Sequence, residues 1–99
     1  MRTILWANRA LGDFNQQIEY IAASSPKGAR LVAERLIKAI GNLARTASGR
    51  IGRLPGTYEK FVPKTSFIVV YTKDESANTI TIVRIIHASR EWLDGTLPD

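Results

Sequence analysis

The chain has 99 residues, 44% of them hydrophobic, and a formal net charge of +5, which suits one domain with one modest core and excludes a disordered polyelectrolyte. It has no cysteine and one histidine, so a disulfide scaffold and thiolate chemistry are excluded, the usual zinc site lacks its ligands, and no metal or cofactor is expected. No apolar leader opens the chain, and its longest strongly apolar run, Phe67-Ile68-Val69-Val70-Tyr71, is far too short to span a bilayer; neither a signal peptide nor a membrane contact is expected, and a cytoplasmic setting fits.

Thr3 to Trp6 is a short apolar opening that suits an edge strand. From Ala7 to Ala23 the apolar residues Ala7, Ala10, Leu11, Phe14, Ile18, Ile21 and Ala22 fall on one side at helical spacing. Arg9, Asp13, Gln16 and Glu19 fall elsewhere, and Gly12 costs ~1 kcal/mol relative to alanine. The helix is expected to stop at Ser24-Ser25-Pro26, which also starts the next one. A serine supplies the cap oxygen, and proline suits the first helical position because its missing N–H has no partner there.

From Lys27 to Ala47 the stripe Ala29, Val32, Ala33, Leu36, Ile37, Ile40, Leu43, Ala44 and Ala47 opposes a stripe of Lys27, Arg30, Glu34, Lys38 and Arg45. Leu31 falls on the polar side. The short connection makes the two helices an antiparallel hairpin. Ser48-Gly49 ends the second helix, and Gly52, Pro55 and Gly56 keep the next stretch irregular. Strands are expected over Tyr58 to Val62, Ser66 to Thr72 and Thr79 to His87, with a polar loop over Lys73 to Asn78. The result is one α+β domain over residues 1–99, in the order β-α-α-β-β-β, with the helical hairpin on one face of a small, mainly antiparallel sheet. Regular alternation puts Ile80, Ile82, Arg84 and Ile86 on one side of the last strand, and Thr79, Thr81, Val83, Ile85 and His87 on the other. Both sides are largely apolar, so the sheet face away from the helices is expected to stay open for a partner.

Charge is unevenly placed. Nine basic residues lie between Lys27 and Lys64, opposed only by Glu34 and Glu59. Such a block favours an acidic partner, either an acidic protein segment or nucleic acid, and it equally fits a solvated helix face. His87 can serve as a general acid or base, or simply end a strand bonded to backbone or solvent. Arg84, between Val83 and Ile85, must point to solvent or to an anion. Trp6 and Trp92 read as packing residues, and Tyr58 as structural or as a stacking group. There is no phosphate-binding glycine loop and no nucleophile triad.

Taken in order, several segments resemble the RelE/ParE toxin superfamily. They are Trp6-Ala7, Asp13-Phe14, Ile18, Tyr20-Ile21, the basic second helix, Gly52-Arg53-Leu54-Pro55-Gly56-Thr57-Tyr58-Glu59, Ile68-Val69-Val70-Tyr71, and Arg84-Ile85-Ile86-His87 with Arg90-Glu91-Trp92. The RNA-cutting branch similar to RelE carries alternating lysines on the strand after the glycine turn and an arginine at the start of the next. Here the matching positions are Glu59, Phe61 and Ile68, which cannot stabilise a phosphorane. The sequence is closer to the ParE branch. That resemblance implies inhibition of DNA gyrase, a role in stabilising a plasmid or chromosome, and a ParD-like antitoxin partner. It assigns no catalytic residue. The alternatives are a ribosome-dependent mRNA endonuclease, in which His87, Arg84 and Arg90 would carry the chemistry, and a toxin-like binding module with neither activity. Arg53, Lys60, Arg84, His87, Arg90 and Trp92 are the residues expected to meet a partner, with Lys27 and Lys38 left on a solvated helix face.

Overall fold

The structure is a computed structural model that describes residues 1–88. Strand β1 (Thr3–Trp6) leads to helices α1 (Asn8–Ala22) and α2 (Pro26–Asn42), then to β2 (Arg50–Ile51), β3 (Tyr58–Phe61), β4 (Phe67–Asp74) and β5 (Thr79–His87). The sheet order is β1-β5-β4-β3-β2, with β1 parallel to β5 and the other pairs antiparallel. The expected α+β architecture is present, with one addition. The two-residue strand β2 pairs with β3 inside the stretch read as irregular, since Arg50 and Ile51 sit opposite Glu59 and Tyr58.

Local chemistry explains the element ends. Ser25 caps α2 by accepting the Gly28 N–H at 2.9 Å, with Pro26 at the first position. Helix α2 stops at Asn42, earlier than the apolar stripe suggests. Beyond it Leu43 and Ala44 remain buried in a turn closed by the Thr46 N–H on the Asn42 carbonyl. Gly49 has φ +126, and a Cβ there would meet the Glu59 carbonyl oxygen at 2.6 Å. A side chain is therefore excluded where this loop crosses β3. The crossing brings the Ser48 carbonyl to the hydroxyl of the fully buried Tyr71, at 2.6 Å.

The main core lies between the helices and one sheet face. Ala10, Leu36, Ile40 and Leu43 pack on Val69, Tyr71, Ile80, Ile82 and Ile85, with Trp6 edge-on to Phe14 at its rim. The other face is not open as expected. Ile68, Val70 and Ile86 are 5%, 1% and 1% exposed and form a second cluster against which Val83 and Ala88 pack.

Alternation along β5 also departs from the regular reading. Tyr71 pairs with Ile82 but Val70 pairs with Arg84, so Val83 is an extra residue without a direct partner. This bulge shifts the side-chain phase by one. Ile82 and Ile85 consequently share the helix-side core, while Ile86 joins the opposite cluster.

Candidate functional site

The glycine-rich turn folds around Glu59. Gly52 N–H donates to the Thr57 carbonyl and the Thr57 hydroxyl to the Leu54 carbonyl, both at 2.8 Å, which tightens the loop after β2. Glu59 is 3% exposed. Its Oε1 accepts from Arg50 Nη2 at 3.2 Å, and its Oε2 from the Arg53 backbone N–H at 3.0 Å. Arg53 Nε stands 3.4 Å from the same oxygen. A buried carboxylate requires compensation of this kind, by opposite charge and hydrogen-bond donors. Arg53 thus sits beside the sheet with its guanidinium directed to a carboxylate of its own chain.

Arg84 likewise meets an internal anion. Its Nε donates to Asp13 Oδ2 at 2.7 Å and its Nη2 to Asp13 Oδ1 at 3.2 Å. The pairing of β1 with β5 ends at Trp6 and Ile82, and α1 lies against the edge of β5 beyond it. There Asp13 Oδ2 also accepts the Ile85 N–H at 2.9 Å. Asp13, assigned by periodicity away from the apolar stripe, is 8% exposed. No helical pattern reveals such a residue, since its partner lies on a distant strand.

His87 ends β5 directly opposite Phe67, its ring edge-on to the phenyl with centroids 5.5 Å apart. It lines a cleft of about 460 Å³ with Gln17 and Tyr20 of α1, Val32 of α2, and Lys64 to Phe67. The Ala88 N–H donates to the Ser66 carbonyl at 2.7 Å, which holds this end of β5 to the loop before β4. An imidazole in such a cleft can exchange a proton with a bound group. The Thr65 hydroxyl there is engaged locally, donating to the Val62 carbonyl and accepting the Phe67 N–H.

Lys60 points to the helix side of β3, away from Glu59 and Phe61, as period two requires; it pairs with core residue Val69. It lines a cleft of about 490 Å³ with Arg45, Ala39, Asn42, Thr46, Ser48 and Pro63. Lys38, expected on a solvated helix face, is exposed but also walls an adjoining cleft with Arg35 and Lys64. The structure therefore separates the expected partner residues into three places. Arg53 lies with Glu59, Arg84 with Asp13, and Lys60 and His87 along the helix-side clefts. Arg90 and Trp92 lie outside the described residues. Among the described residues, no group of three His, Cys, Asp or Glu side chains could hold a metal ion.

The sequence matches, over residues 4–92, the family model described as the ParE toxin of the type II toxin–antitoxin system parDE. A protein of Sinorhizobium fredii named as a candidate toxin, Y4kP, is 30% identical over 92 residues, covering 92% of this chain and 93% of that protein. The chromosomal ParDE system of P. aeruginosa contains a chain that superposes with a TM-score of 0.80 at 19% identity, over 88% of this chain and 96% of that one. A chain of the intact E. coli RelBE toxin–antitoxin complex superposes with a TM-score of 0.68 at 15% identity, over 91% of this chain and 100% of that one. At these identities the two structures speak to the fold, which both branches share.

Proposed function

The chain belongs to the ParE toxin family of type II toxin–antitoxin systems, and we propose that it acts in the cytoplasm by inhibiting DNA gyrase and is neutralised by a ParD-like antitoxin. The observation that carries this reading is the state of Glu59. On the strand where the RNA-cutting branch carries lysines, this chain holds a buried carboxylate that engages Arg50 and Arg53. The two nearby cations are engaged with that carboxylate, Arg50 through Nη2 at 3.2 Å and Arg53 through Nε at 3.4 Å. Phe61 and Ile68, facing each other across β3 and β4, add no charge. Phosphoryl transfer needs positive charge positioned on the transition state, and the cations beside this strand are instead paired with Glu59. An antitoxin partner is supported by similarity to the ParDE system and the RelBE complex.

Ribosome-dependent mRNA cleavage is the second reading. One observation favours it: His87 lines a cleft together with Lys64. A single experiment separates the two. The purified protein is assayed for inhibition of gyrase supercoiling and, in parallel, for cleavage of messenger RNA in a translating extract. Loss of supercoiling with intact transcripts supports gyrase inhibition. Cleaved transcripts with unaffected gyrase overturn it, and inactivity in both assays leaves a binding module.

A further inference from the structure

Three clefts follow one another along α2. The first, about 490 Å³, holds Arg45 and Lys60. The second, about 330 Å³, holds Arg35, Lys38 and Lys64, and it shares Ala39, Asn42 and Pro63 with the first. The third is the His87 cleft of about 460 Å³, joined to the second through Lys64. Tyr20 stands in its wall, 73% exposed. Among the described residues, no aspartate or glutamate lines any of the three. The loop that carries Lys64 is tied to α2 by Arg35 Nη1, which donates to the Lys64 carbonyl at 3.1 Å. The two sides of the track are thus held together by the cations' own backbone and side chains.

We infer that this side of the molecule is a track for a single strand of nucleic acid. Positive charge uncompensated by acids, set in concave steps, concentrates a field that attracts a polyanion. Neutral hydrogen-bonding residues, Asn42, Thr46 and Ser48, line the first cleft together with its cations. An exposed tyrosine at the far end supplies a face on which a base can stack. Cations following a backbone, with an aromatic platform, are the means by which single strands are held without sequence preference. An acidic polypeptide would answer the same charges but anchors through apolar side chains in pockets. The apolar lining of the first two clefts is Ala39, Val62 and Pro63, with Val62 already 1% exposed, and that of the third is Ile21, Val32 and Phe67, with Phe67 already 4% exposed. A duplex would bridge the rims of these small clefts without entering them. The track lies on the helix side of β3, opposite the face that carries Glu59 and Phe61, and it stands independently of the target proposed above.

The test uses the full chain and mixed-sequence, fluorescently labelled oligonucleotides, single-stranded DNA and RNA, read by anisotropy across a salt series. Both should bind, with log affinity falling against log salt by about 0.7 for each phosphate contacted. Arg45→Glu with Lys60→Glu should weaken binding at least about tenfold and reduce that slope by about 1.4. Lys27→Glu with Arg30→Glu makes the same charge change on the exposed start of α2 and should alter affinity less than about twofold. Tyr20→Ala should cost about tenfold through lost stacking. Arg45→Gln with Lys60→Gln, checked for a native circular dichroism spectrum, gives the same ordering if a charge reversal disturbs folding. Equal losses in the two charge-reversed proteins overturn the track, as does absence of oligonucleotide binding. Preference for duplex, binding of RNA alone, or tighter binding of poly-glutamate than of a single-stranded oligonucleotide of equal charge also overturns it.

Discussion

Asp13 and Arg84, 71 positions apart, form a two-pronged ion pair with side chains only 10% and 11% exposed, and the same carboxylate takes the N–H of Ile85. One acid on α1 thereby closes the edge of β5 that β1 does not reach. It joins the helical layer to the sheet by a polar contact rather than by packing alone. The bulge at Val83 sets the phase at which Arg84 and Ile85 present themselves to α1.

Removing one partner of this pair should be costly. Asp13→Ala leaves Arg84 without its carboxylate and the Ile85 N–H without an acceptor, and a loss of about 3 kcal/mol in unfolding free energy is expected. Asp13→Leu with Arg84→Met should lose less than the sum of the two single changes, because it removes both charges. Urea denaturation of the four proteins of the cycle measures this. A loss below about 1 kcal/mol for Asp13→Ala would place the pair with ordinary surface bridges.

Glu59 should matter first for stability. Glu59→Ala removes the acceptor of the Arg53 backbone N–H and the carboxylate beside two guanidinium groups, at an expected cost of about 2 kcal/mol. Glu59→Lys sets a third cation beside Arg50 and Arg53 and should destabilise further, without producing mRNA cleavage. Thermal melting gives the first result and a translating extract the second. Cleavage by Glu59→Lys would mean that this acid alone separates the two chemistries.

Tyr71 makes a pH-dependent contribution. Burial, chiefly, and the neighbouring Tyr58 raise its phenol above the ordinary value of 10.0. The folded state therefore resists ionisation that the unfolded chain permits. Its contribution is whole below pH 10.0 and is lost as pH rises from there through the folded value. Tyr71→Phe should lower stability at neutral pH by about 1 kcal/mol, the worth of the bond to the Ser48 carbonyl. It should also flatten the alkaline decline. Denaturation midpoints at several pH values decide this, and an alkaline limb unchanged by the substitution would assign it to other groups.

His87→Ala should weaken toxicity only partly and leave transcripts intact. A general acid or base contributes about 10²–10⁴-fold, enough for its loss to silence a toxin. On the gyrase reading the imidazole is a contact group, and its loss trims affinity. Colony counts after induced expression, with transcript mapping, report both effects. Abolished toxicity together with loss of ribosome-dependent cleavage present in the unaltered protein would make His87 catalytic.

Periodicity, caps and turn residues determined the two helices, the strand segments and the helix-on-sheet class, because each depends on neighbours within a few positions. Ser25-Pro26 and the alternation around Lys60 are of this kind, as is the placement of Lys60 opposite Glu59. The ordered motifs also pointed to the family. Tertiary structure alone decided which charges are committed inside the molecule. Asp13 looked like a surface residue until a strand residue from the far end of the chain reached it, and Glu59 acquired its cations from a loop and a strand too short to read. Lys38 keeps its exposed place and also walls a cleft, which no sequence pattern shows because the cleft belongs to α2 and the loop after β3 together. Long-range pairing, and the one-residue bulge that sets its phase, leave no periodic trace in the sequence, and they determine which cations remain for a partner.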